Sequence, residues 1–137
     1  METEGVFDPE TLDAAREAYE SVGPAAQTAV RETATAMEFD REEYTDRVTS
    51  EVVETARDAI FASLLVVRVA DRDAFEAWRA DADVDVTVLG SPDVSRVVWH
   101  VAPFADAAVA ATFEAERDAA VATLRRQAFG RLYRDRL

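Results

Sequence analysis

At 137 residues the chain has room for one hydrophobic core and not for two. It carries 15 basic against 28 acidic residues, a formal net charge of −13, and no cysteine, which excludes disulfides, thiolate metal sites and a cysteine nucleophile. The longest apolar run, ASLLVV, is too short to cross a bilayer, and the acidic start METEGVFDPE lacks the basic and apolar regions of a signal peptide, so a cytoplasmic protein without a membrane partner is expected.

In chain order, Asp8 is placed to cap a first helix, with Pro9 at its first position and Phe7 able to pack on Leu12. Leu12, Ala15, Tyr19 and Val22 share one face of it. Gly23 and Pro24 end that helix and open a second, in which Ala26, Val30, Ala34 and Met37 recur at helical spacing. Asp40 with Glu43 matches a capping box and Phe39 with Tyr44 a hydrophobic staple, so a third helix begins there, its apolar face running from Tyr44 through Val48, Val52, Ala56 and Ala59 to Ile60. Near Ser63 the pattern switches to a β-branched strand, LLVVRVA. A short helix capped by Asp71, or by Asp73 with Glu76, carries Phe75 and Trp78 on one side. VDVTVL then alternates as a second strand, GSPD is a turn, and VSRVVWHVA is the third and longest strand. Pro103 opens a C-terminal helix that runs past residue 128.

The expected architecture is therefore a single α+β domain: three N-terminal helices over residues 1–62, then a β-α-β-β-α unit over 63–137 with a three-stranded mixed sheet and a long C-terminal helix. Crossover rules make the first two strands parallel, with the third between them and antiparallel to both. The unit is similar to part of a ferredoxin-like fold that lacks its last strand, and such a likeness carries no function with it. Placed on a wheel, the C-terminal helix is apolar on two sides. One bears Val109, Phe113, Ala120, Leu124 and Ala128; the other bears Phe104, Ala108, Ala111, Ala115, Ala122, Phe129 and Tyr133. A helix of that kind is sandwiched, by other elements of its own chain or by a second subunit.

Every basic residue except His100 is arginine, lysine and asparagine are absent, alanine and valine dominate the apolar set, and Ile60 is the one isoleucine. Dense negative charge keeps proteins soluble in concentrated salt, where self-repulsion is screened. In composition and layout the whole chain resembles the small acidic protein families of unknown function of halophilic archaea. That resemblance brings no active-site motif. An acidic protein from a high-GC mesophile is the alternative.

Chemistry is limited by what is missing. Without lysine there is no Schiff-base or P-loop lysine, and no Gly-rich phosphate loop, G-x-S-x-G elbow or HExxH motif occurs. Neither a cofactor nor a metal is expected. The best candidate site is a sheet face bearing Arg68, Asp85, Thr87, Arg96 and His100, where a histidine near a carboxylate can act as base or pH switch and two arginines can hold an anion. A valine-bearing polar face of this kind is more often solvated or covered by another subunit.

The closing LRRQAFGRLYRDRL sets five arginines against one aspartate. On an ideal helix they encircle the axis, Arg126 falling at about 200° and Arg134 at about 280° from Leu124, which disfavours nucleic acid as a partner. If Gly130 ends the helix, Phe129, Arg131, Leu132, Tyr133, Arg134 and Leu137 form an arm able to dock on a partner. The function expected is a non-enzymatic protein–protein interaction or self-association module, with itself or another protein as partner. The alternatives are an RNA- or ribosome-associated protein using the C-terminal arginines, and a small-anion-binding protein or enzyme at the face around His100.

Overall fold

The computed structural model describes residues 1–137. Strand β1 (Glu2–Glu4) precedes helices α1 (Leu12–Ser21), α2 (Gly23–Ala36), α3 (Arg41–Arg47) and α4 (Ser50–Ser63). Strand β2 (Val67–Asp71), helix α5 (Arg72–Asp81) and strands β3 (Asp85–Leu89), β4 (Arg96–Ala102) and β5 (Ala107–Phe113) follow. Helix α6 (Arg117–Ala128) continues directly into a π-helical turn, Phe129–Tyr133. The strands form one mixed sheet in the order β1-β2-β4-β5-β3, antiparallel except where β3 pairs with β5.

Local chemistry explains most of the boundaries. Asp40 caps α3 through the Glu43 amide at 2.8 Å, and Asp71 caps α5 through the Ala74 amide at 2.8 Å. The first helix is capped by Thr11, whose hydroxyl accepts from the Ala14 amide at 3.1 Å, rather than by Asp8. The expected third helix is two: Val48 leaves helical geometry at ψ 83°, and Thr49 caps a new start through the Val52 amide.

The expectation of three strands is corrected to five. Pro103 does not open a helix; it begins a single 3-10 turn closed by Asp106 in the left-handed region at φ 50°, and the chain returns as β5 beside β4. AAVAATF has the alanine content of a helix, but alanine is also what a strand needs where other elements pack close against it. Ala108 and Ala110 are buried in it, and α6 packs along its length. The third predicted strand, β4, is central and antiparallel to β2 as expected, but β5 separates it from β3. Strands β2 and β3 do run in the same direction.

The two faces of the sheet are covered unequally. Val67, Val69, Val98, His100, Ala102, Val109 and Phe113 point into the main core beneath α1, α4 and α6. Ala70, Val97, Trp99 and Ala110 face the other way, under α5, where Phe75 meets Trp99 edge-on at 5.0 Å between ring centroids. Helix α2 packs on α4 and carries only Ala26 and Ala34 as buried residues, so α2, α3 and the first half of α4 extend beyond the core.

The N-terminal segment is pinned to the chain entering β2. The amides of Val6 and Phe7 donate to the Leu64 carbonyl at 2.7 and 2.8 Å, and Val66 donates to Phe7 at 2.8 Å. Gly5 makes this approach possible, because it lies at φ 132° and a Cβ there would meet the Leu65 carbonyl oxygen at 2.6 Å and the Val66 Cα at 2.7 Å. Gly5→Ala is expected to cost at least about 2 kcal/mol, read as a lower midpoint in denaturant unfolding; an unchanged midpoint would show that the segment can pack elsewhere.

Candidate functional site

His100 lies on β4 and is 1% exposed, the one buried ionisable side chain apart from Tyr133. The Val66 carbonyl oxygen lies 2.6 Å from its Nδ1, so that nitrogen must carry the proton and donate. Nε2 is then the lone-pair nitrogen of a neutral ring, and the Tyr133 hydroxyl, 2.6 Å away, donates to it. Tyr133 also sits within 5.4 Å, centroid to centroid, of both Phe61 and Phe104. Burial pushes the His100 pKa below its ordinary value and pushes the Tyr133 phenol up. No cavity opens onto either group. The arrangement is a buried relay in which both ring nitrogens of His100 are engaged and the Tyr133 hydroxyl has used its one proton.

The five residues expected on one face do not form a site. Arg68 pairs with Trp99 across the strands and so points to the opposite side, its guanidinium carbon 5.7 Å from the Trp78 ring centroid. Arg96 stands over Phe113 at 5.5 Å. Asp85 and Thr87 share the side of His100 but lie exposed on the edge strand β3, with β5 between them and β4. The face expected to be open is the one that α1, α4 and α6 cover.

The C-terminal arm is docked on its own chain. Gly130 does not end α6; the chain widens into the π turn, closed by the Arg134 amide on the Phe129 carbonyl at 2.9 Å. Phe129, Leu132 and Tyr133 are buried and Leu137 is half-buried, while Arg131 and Arg134 are exposed. Arg16 of α1 clamps the end by donating from Nε and Nη2 to the Arg136 carbonyl at 3.2 and 3.0 Å. Arg125 turns inward, donating to the Leu65 carbonyl at 2.9 Å and the Glu4 carbonyl at 3.1 Å. Burial draws its pKa down, against the Glu4 carboxylate, which raises it.

An opening that residue patterns did not disclose lies in the outlying helices. Val30, Met37, Phe39, Val48 and Val52, with Ala29, Ala34 and Ala56, wall an apolar groove of about 310 Å³ between α2 and the α3–α4 bend. Met37 is 59% exposed, Val52 42% and Tyr44 38%. At one end stands Arg47, its guanidinium carbon 5.5 Å from the centre of the Phe39 ring and with no carboxylate within 4.0 Å. The helical periodicity revealed an apolar face on α2; that alanines opposite it leave the space unfilled is visible only in three dimensions.

These features define a small α+β domain with a sealed sheet and with surface openings lined by its helices. The chain belongs to the family of unknown function DUF5809, whose model matches residues 6–134. No functionally described protein and no solved structure matches it. No helix is long and apolar enough to cross a membrane.

Two outcomes test the relay. Tyr133→Phe leaves Nε2 of His100 buried without a donor and is expected to cost about 1–3 kcal/mol in equilibrium unfolding; a neutral substitution would show that the hydroxyl is not bonded there. Because the folded pKa of His100 is depressed, the unfolded chain protonates first, so the contribution is full above about pH 6.5 and is lost as pH falls below it. The stability gap between wild type and His100→Gln is therefore expected to narrow between about pH 7.5 and about pH 5.5, whereas a gap that widens would mean a raised pKa.

Proposed function

We propose that this domain is a non-enzymatic interaction module that takes a short apolar segment of another protein, flanked by an acidic residue, in the groove between α2 and the α3–α4 bend. The observation that carries the reading is the pairing of that groove with an arginine that lacks a carboxylate partner, in a chain where acids outnumber bases 28 to 15. A free guanidinium at the end of an apolar trough selects a segment with apolar anchors and one acid in register. The trough is open, and exposed Met37 and Val52 are among its lining residues. Small-molecule sites instead enclose most of their ligand. Methionine at the rim suits a partner surface that must adapt.

A second copy of the chain is a poorer occupant at low salt, since each carries a net charge of −13 and like charge opposes the encounter. The buried state of His100, with both ring nitrogens engaged, supports a role without catalysis.

Selection from a random peptide library on the immobilised full chain tests this. Apolar peptides with a flanking acid are expected to be enriched, Val52→Asp to abolish the enrichment, and Arg47→Glu to exchange the acidic preference for a basic one. Enrichment that is indifferent to both substitutions, or none at all, would overturn the proposal.

A further inference from the structure

The arginines of the C-terminal segment are not equivalent. Arg125 and Arg117 bind carboxylates or carbonyls of the N-terminal strand, Arg136 donates to the Leu132 carbonyl, and Arg131 donates to Gln127. Arg126 and Arg134 are different. Arg126 makes one hydrogen bond, to the Thr123 hydroxyl at 3.3 Å, and Arg134 only lies over the Phe129 ring at 5.4 Å; neither has a carboxylate within 4.0 Å.

On an uninterrupted α-helix these two residues would be separated by about 80°. The π turn between them takes more residues per turn, so the eight-residue step amounts to roughly two full turns and brings both onto one face. That face looks onto α4. Both arginines line a hollow of about 400 Å³ with Thr55, Asp58, Ala59 and Phe129. A neighbouring hollow of about 220 Å³ shares Arg126 with it and is lined by Ala59, Ala62 and Ala122 together with Ser63 and Arg125, the last already held by the Leu65 and Glu4 carbonyls.

We infer that this cleft between α4 and the end of α6 is a binding site for a phosphate monoester of a small apolar alcohol. Two guanidinium forks on one face, two turns apart, can donate to a tetrahedral group held between them, where one fork alone satisfies a carboxylate. The Thr55 hydroxyl, which makes no hydrogen bond within the chain, can donate a further one. Asp58 is the one acid of the cleft, and one of its oxygens is occupied by the Tyr19 hydroxyl at 2.6 Å. In the larger hollow its charge leaves one net positive charge, and Arg125 of the adjoining hollow faces the Glu4 carboxylate at 3.9 Å, so the hold on a bare anion is weak. The alanine-lined extension then favours an ester whose organic part can lie on it.

Calorimetric titration of the full chain with butyl phosphate and with inorganic phosphate tests the assignment. Saturable binding of the ester is expected, about tenfold tighter than that of inorganic phosphate, and weakened at least about tenfold by Arg126→Gln and by Arg134→Gln. Arg131→Gln, which alters the same net charge outside the cleft, is expected to leave it unchanged. Arg126 is exposed and has one side-chain contact, so its variant keeps the test valid if loss of the Phe129 contact disturbs folding in the Arg134 variant. No saturable binding of either probe, equal weakening by Arg131→Gln, or inorganic phosphate bound as tightly as the ester would each overturn the proposal.

Discussion

The hydrogen-bonded line from the Tyr133 hydroxyl through the His100 ring to the Val66 carbonyl ties together three distant parts of the chain. An imidazole inside a core is costly unless both nitrogens are satisfied, and a neutral ring needs one donor and one acceptor. Here the acceptor comes from the chain just before β2 and the donor from the last turn. Neither partner can be moved without stranding the ring nitrogen it serves, so the relay fixes where Tyr133 must lie. The π turn is consistent with that demand: it aligns the Phe129 and Tyr133 rings, nearly parallel at 8° and 6.5 Å apart, and sets the Tyr133 hydroxyl at the histidine. Asp8 and the positive charges of Arg68 and Arg125 also act on the ring, but burial dominates and keeps it neutral.

Around that fixed point the cations are sorted by partner. In an acidic chain the expected role of arginine is to offset surface carboxylates, yet several guanidinia here bond to backbone carbonyls instead. Arg16 holds the Arg136 carbonyl, Arg57 the Tyr19 carbonyl at 3.0 Å, Arg72 the Val94 carbonyl, and Arg125 the Leu65 and Glu4 carbonyls. Such bonds join elements far apart in sequence, and each charged donor satisfies a carbonyl left over at a helix end or loop. Ion pairs among exposed side chains add little by comparison.

Elements whose signal is local were legible in the sequence. The caps at Asp40 and Asp71, the break between two helices at Gly23 and Pro24, the strand character of the VRVA end of LLVVRVA and the centrality of β4 all follow from a few adjacent residues. What was not legible depends on neighbours in space. AAVAATF satisfies both a helix and a tightly covered strand, and only the helices pressing on it decide between them. The same ambiguity made β5 part of a helix apolar on two sides, when Val109, Ala111 and Phe113 face the main core and Ala108 and Ala110 the other side of the sheet. Alternation correctly put Trp99 and His100 on opposite faces. It did not reveal that Arg68 shares the face of Trp99, because that depends on the register between β2 and β4. Nor can a wheel drawn at a constant 100° anticipate a π turn.

The same distinction explains where the openings lie. The sheet is sealed on its main face because large side chains, Phe61, Leu124, Phe129 and Tyr133, converge on valines and alanines of the strands and fill the space between layers. Helix–helix contacts away from the sheet are built differently. Alanines at 29, 34 and 56 line one crevice and alanines at 59, 62 and 122 line another, so the backbones approach but the side chains leave gaps between larger residues at the rims. Each gap is edged by arginine that has not been claimed by a carbonyl or a carboxylate: Arg47 at one, Arg126 and Arg134 at the other. Only Arg72, Arg117 and Arg125 have a carboxylate within 4.0 Å, so what distinguishes Arg47, Arg126 and Arg134 is the crevice each one lines rather than the lack of an ion pair. The two crevices differ in chemistry because one sets a single arginine in a mostly apolar wall and the other sets two arginines beside one aspartate.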